Sequence, residues 1–64
     1  MSYEYKIEII LSNRLESNGD NGKAIEAVKI WLGCEWQCGL IEMHEYNRLL
    51  SKVDEIADRM IKEL

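Results

Sequence analysis

The residues of this chain best suited to chemistry fall in one stretch, WLGCEWQCGLIEMHEY, residues 31–46. It holds both cysteines, both tryptophans, the single histidine and three glutamates. Cys34 and Cys38 stand four apart, which on a helix puts them on one face and offers two zinc ligands. A structural zinc site takes four. His44 would have to fold back across a turn, and Glu42 or Glu45 would have to complete a mixed set. Nucleophilic catalysis by either thiol needs a base held by a third group, and no such constellation is written here. Cysteine is also among the most buried residue types and packs as a small apolar side chain. The expectation is therefore two free, packed thiols and a fold that needs no metal. No cofactor and no catalytic residue are assigned. His44, beside Met43 in the first turn of a helix, is expected to be exposed or partly packed.

Other chemistry is poorly supported. The run SNGDNG lacks the spacing of a calcium loop and its distal glutamate. No phosphate-cradling or dinucleotide motif is present. Paired acids such as Asp54 and Glu55 read as a solvated helix face. What remains is surface. No basic residue lies between Lys29 and Arg48, while Glu35, Glu42 and Glu45 bring acid close to Trp36. Tryptophan and tyrosine are over-represented at binding hot spots, so Trp36, Glu35, Glu42, Glu45 and Tyr46 are the candidate partner-binding residues. Trp31 is expected to help fill the core.

Three helical elements must position these residues. Met43, Tyr46, Leu50, Val53, Ala57, Met60 and Leu64 recur at spacings of three and four, and Leu49, Ile56 and Ile61 widen the stripe. This predicts a helix of about 20 residues with one broad apolar face. Its other face pairs Glu55 with Arg59 and Asp58 with Lys62 at i,i+4. From Gly22 to Cys38 a second helix sets Ala24, Ala27, Val28, Trp31 and Cys34 along one side. Its polar strip, Glu26, Lys29, Gly33 and Gln37, also includes Ile30. So apolar a helix needs cover from more than one neighbour.

The N-terminus fits two templates. Tyr3, Tyr5, Ile7, Ile9 and Leu11 alternate with charge as a half-buried strand would. Tyr3, Ile7, Ile10, Leu11 and Leu15 make a helical face, which also accounts for Leu15. A strand would leave a long loop and no pairing partner within the chain. The helix is the reading adopted, with a stop at Asn18–Gly19, an N-cap at Asp20 and a loop over 18–21. Gly39 is expected just past the end of the second helix, with Leu40 and Ile41 tucked under the turn.

The stretch WQCGLIEMHEYNRLL, residues 36–50, resembles the pattern W-x-x-G-L-I-[ST]-x-x-E-[YF] of SHOCT-type short helical modules and of small helical proteins of phages and mobile elements. The resemblance implies a helical hairpin with an oligomerising or binding role and carries over no catalytic residue. Glu42 departs from the pattern, standing where serine or threonine usually caps the helix.

Size and charge complete the reading. Sixty-four residues make one small domain, with 47% hydrophobic and 31% charged residues and no proline. A net charge of −4 with dispersed basic residues disfavours nucleic acid. The start of the chain does not read as a secretory leader, and apolar runs no longer than three residues give no membrane span. A cytoplasmic location with reduced thiols is expected.

The sequence thus predicts an all-α three-helix bundle with a C-terminal hairpin, the alternative being an N-terminal strand and two helices in a dimer. The expected function is non-catalytic and stoichiometric protein binding, as of a small phage or mobile-element regulator or inhibitor acting on a host protein. A dimeric DNA-binding regulator and a cysteine-centred metal or redox sensor are the alternatives. A homodimer is expected, with Trp31, Leu50, Val53, Ala57, Met60 and Leu64 at its interface.

Overall fold

In a computed structural model, which describes residues 2–16 and 19–64, the chain forms three helices, α1 (Tyr3–Ser12), α2 (Gly22–Gln37) and α3 (Met43–Glu63). The described residues contain no strand, and the three helices form an all-α bundle. The expected stop at Asn18 lies outside the described residues.

Helix α1 begins at Ser2, whose extended backbone lets its hydroxyl accept from the Tyr5 N–H at 3.2 Å. That satisfies one of the orphan donors of the first turn. Ile7 and Leu11 are fully buried, Tyr3 and Ile10 pack beside them, and Tyr5 and Ile9 face outward. The alternating pattern is therefore read by the fold as i,i+4. The helix ends at Ser12, earlier than expected. There the Ser12 hydroxyl and the Asn13 amide both donate to the Ile9 carbonyl, at 2.8 and 3.1 Å, competing with the helical ladder. Leu15 lies past the helix yet still packs on the core.

The connection to α2 is held by Asn21. Its side-chain oxygen accepts from the Glu16 N–H at 2.9 Å, and its amide donates to the Glu16 carbonyl at 3.0 Å. Asn21, rather than Asp20, occupies the N-cap position, with helical backbone and no side-chain cap. Asp20 still accepts from the Gly22 N–H, at 3.0 Å.

Helix α2 ends in a Schellman turn. The Gly39 N–H donates to the Trp36 carbonyl and the Leu40 N–H to the Glu35 carbonyl, both at 3.0 Å, with Gly39 at φ +80°. Ile41 tucks under this turn and is buried, whereas Leu40 stays 64% exposed. Helix α3 then runs back along α2 as a hairpin. Twenty-one residues span about 31 Å.

The core draws on all three helices: Ile7 and Leu11, Ala24, Val28 and Leu32, and Leu49, Val53, Ile56 and Ala57, closed at the turn by Ile41. Among the described residues it holds no buried polar or charged side chain. Each fully buried branched side chain contributes about 1.5–3 kcal/mol against exposure. The stripe on α3 is centred on Leu49, Val53 and Ile56, so Leu49 and Ile56 are its middle and Leu50 its edge. Met43, placed on that stripe by the sequence, is instead 56% exposed.

This packing places two of the residues assigned to an oligomer seam, Val53 and Ala57, in the core. Val53 and Ala57 are buried within the chain, and Trp31, Leu50 and Met60 pack against the same core. Of the six residues assigned to a seam, Leu64 alone is largely exposed, at 61%. Val53 and Ala57 are thus taken up by contacts within the molecule, while Trp31, Leu50, Met60 and Leu64 keep part of their surface exposed.

Candidate functional site

The α2–α3 hairpin positions the candidate residues. Trp36, in the last turn of α2, and Tyr46, in the first turns of α3, stack face to face with centroids 5.0 Å apart and planes 8° from parallel. Such a stack contributes about 0.5–1.5 kcal/mol beyond the area it buries. Gly33 lies behind it, where a Cβ would come 3.6 Å from the Tyr46 hydroxyl. Both rings remain half-buried, so they close the end of the hairpin and still present surface. Beside them Leu40 and Met43 are exposed at 64% and 56%, the two large apolar side chains projecting from the turn region. Trp31 lies elsewhere, tilted at 42° against Tyr3 with centroids 5.9 Å apart. It joins α1 to α2 rather than joining Trp36.

The three acids have different fates. Glu42 takes the N-cap position of α3 with extended backbone, but its carboxylate makes no cap hydrogen bond. It lies 3.4 Å from His44 Nδ1 instead, with both side chains about four-fifths exposed. Glu35 sits partly exposed at the end of α2. Glu45 is drawn away from the turn by Arg48, which also holds Glu4 of α1 at 2.7 Å. The Arg48 hydrogen bonds hold both carboxyls below their ordinary range, aided at Glu4 by its own backbone N–H. The guanidinium is held correspondingly more firmly in its charged form. Glu45 thus belongs to the junction of α1 and α3, and only Glu35 and Glu42 remain as an acidic rim.

Sequence reasoning missed the ion pairs between helices. Arg59 bonds Glu8 of α1 rather than Glu55 on its own helix, and Glu55 pairs with Lys52 at 3.4 Å. Asp54 reaches Lys29 of α2 at 3.1 Å, so it is a cross-helix partner and not merely solvated. Asp58 and Lys62 pair as expected, at 3.2 Å. Five of the eight basic side chains are engaged with carboxylates in this way. Of the others, Lys6 lies over the Tyr3 ring, 5.0 Å from its centroid, while Arg14 and Lys23 share an open depression with Glu16 and Asp20. The basic residues do not form the concentrated patch that phosphate binding draws on. No local signal could have found Glu4–Arg48 or Glu8–Arg59, whose partners are 44 and 51 residues apart.

The cysteines depart most from expectation. Cys34 and Cys38 are free and both exposed, so neither packs into the core. The buried face of α2 is centred on Ala24, Val28 and Leu32, and Cys34 lies off that face. His44, Glu42 and Glu45 do not converge on them: among the described residues, no three His, Cys, Asp or Glu side chains form a metal-binding group. Nor is any helix there long and apolar enough to cross a membrane.

Comparison of the chain with family models, with curated proteins and with solved structures gives no match. The likeness of residues 36–50 to short helical hairpin modules therefore stands on those residues alone.

Proposed function

We propose that this protein acts by binding another protein, without catalysis, through the end of the α2–α3 hairpin. The observation that carries the reading is the exposure of Leu40 and Met43 beside the Trp36–Tyr46 stack, with Glu35 and Glu42 at the rim. Aromatic side chains fixed by stacking give contact area at low entropic cost, and exposed apolar neighbours gain by being covered. No lysine or arginine stands between Lys29 and Arg48, and Arg48 is turned toward Glu4. The complementary partner is a protein surface with an apolar centre and basic flanks.

The narrower reading is a small phage or mobile-element regulator that inhibits a host protein by stoichiometric binding in the cytoplasm. It draws support from the resemblance of residues 36–50 to short helical hairpin modules. The test is co-purification from cells with the native chain, with Met43→Lys and with Ile30→Lys, followed by footprinting of the captured complex. Loss of the captured protein with Met43→Lys alone, with protection over 36–46, is the expected result. Equal capture by all three chains would refute the site.

A further inference from the structure

The exposed cysteine pair is not absorbed by the hairpin-end surface, and it lies on a different element face. Cys38 follows Cys34 by one helical turn, its N–H donating to the Cys34 carbonyl at 2.9 Å, and its backbone is still helical at φ −78°, ψ −4°. The two Cβ atoms of such a pair are about 5–6 Å apart on one face. In a tetrahedral thiolate site with metal–sulfur bonds of about 2.3 Å, two sulfurs stand roughly 3.8 Å apart. Rotation about two side-chain bonds covers that difference. The row continues backward through Ile30, 62% exposed, one turn before Cys34. The site lies at the C-terminal end of α2, where the partial negative charge of the helix favours a cation.

We infer that Cys34 and Cys38 form a chelating half-site for a soft divalent ion of the zinc class, completed by the same two thiols of a second copy of this chain. One chain offers two ligands of the four required, and no third comes within reach among the described residues. A two-fold axis through the ion supplies the other two from the same surface, because an isologous interface repeats each contact. The same approach covers Ile30 of both copies, which the monomer leaves bare. Binding releases two thiol protons per chain to the solvent and places the ion among four thiolates, so affinity rises with pH. The metal bridges units that are already folded, since neither thiol contributes to the core. With −4 on each chain, moderate salt favours the assembly by screening repulsion.

The test is titration of reduced, metal-free protein with cobalt(II), read by absorption and by sedimentation. The expected result is thiolate charge-transfer and tetrahedral bands saturating at one ion per two chains, with the mass doubling from 7.5 kDa. Cys34→Ser and Cys38→Ser should each weaken binding by at least roughly tenfold while leaving the helical circular dichroism unchanged. Saturation at one ion per chain without a change in mass overturns the inference. So does the absence of a thiolate band, or its survival in both variants.

Discussion

At the scale of single residues, Glu42 is the position where local preference and the fold disagree most plainly. It occupies an N-cap yet makes no cap bond, while serine at such a site satisfies an orphan N–H. Residues that break a local rule without compensation tend to mark function. Glu42→Ser should raise stability by about 0.5–1 kcal/mol, read from the denaturation midpoint, and should weaken partner capture. A variant that gains stability and binds as before would remove Glu42 from the rim. Arg48 makes a second residue-scale prediction. Its hydrogen bonds lower the pKa of Glu4 and Glu45 from the ordinary 4.5. A depressed folded pKa gives stability that is present above the unfolded value and lost as pH falls through the folded one. The bundle should therefore weaken on acidification from about pH 4.5 downward. Arg48→Gln should return both side-chain carboxyl titrations, followed by NMR, toward the ordinary range, and unchanged midpoints would contradict the bridge.

At the scale of elements, two glycines of the hairpin should respond with opposite signs. Gly33 is interior to α2 with helical backbone, and a Cβ there meets the Tyr46 hydroxyl at an ordinary 3.6 Å. Gly33→Ala should stabilise the protein by about 0.5–1 kcal/mol, through the lower backbone entropy lost on folding. Gly39 has open space around it, but its φ of +80° is strained for any residue with a Cβ. Gly39→Ala should destabilise by about 1–2 kcal/mol. Urea unfolding of the two variants checks both, and equal signs would mean that the Schellman turn is misassigned. The start of α1 shows how much of an element was legible. Periodicity left residues 3–11 open between strand and helix, and the Ser2 hydroxyl that accepts from the Tyr5 N–H and caps the helix is a signal the sequence reading missed. The end of α1 was less legible, because Ser12 and Asn13 stop the helix through side-chain bonds rather than through a glycine.

At the scale of the whole molecule, the burial of Val53 and Ala57 shifts the expected effect of charge on α3. A carboxylate at Val53 would be buried without a counter-charge, which costs several kcal/mol. Val53→Asp should therefore unfold the chain, whereas Leu64→Asp, at an exposed end, should leave helicity and sedimentation unchanged. Circular dichroism of both variants decides this. A folded Val53→Asp monomer would show that the residue lines a seam between chains and not a core. The ion pairs Glu4–Arg48, Glu8–Arg59 and Lys29–Asp54 lie around that core and tie α1 and α2 to α3. Exposed pairs of this kind add little stability each.

The sequence by itself determined that two helices, α2 and α3, form a hairpin about Gly39 with Trp36 and Tyr46 at its end, and for residues 3–11 it allowed a strand as well as a helix. These follow from periodicity and turn chemistry, which act within a few residues. Only the tertiary structure decided which way α2 is rotated about its axis. Apolar residues surround most of that helix, so several rotations satisfy its pattern. Packing on α1 and α3 selected the one that buries Leu32 and turns Cys34 outward. The same packing placed Leu49 and Ile56 at the centre of the α3 stripe, left Met43 and Leu40 exposed, and took Glu45 from the acidic rim. Burial of apolar side chains against both neighbouring helices fixes these choices. A helical period records that a face exists, but the neighbours that cover it decide where its centre lies.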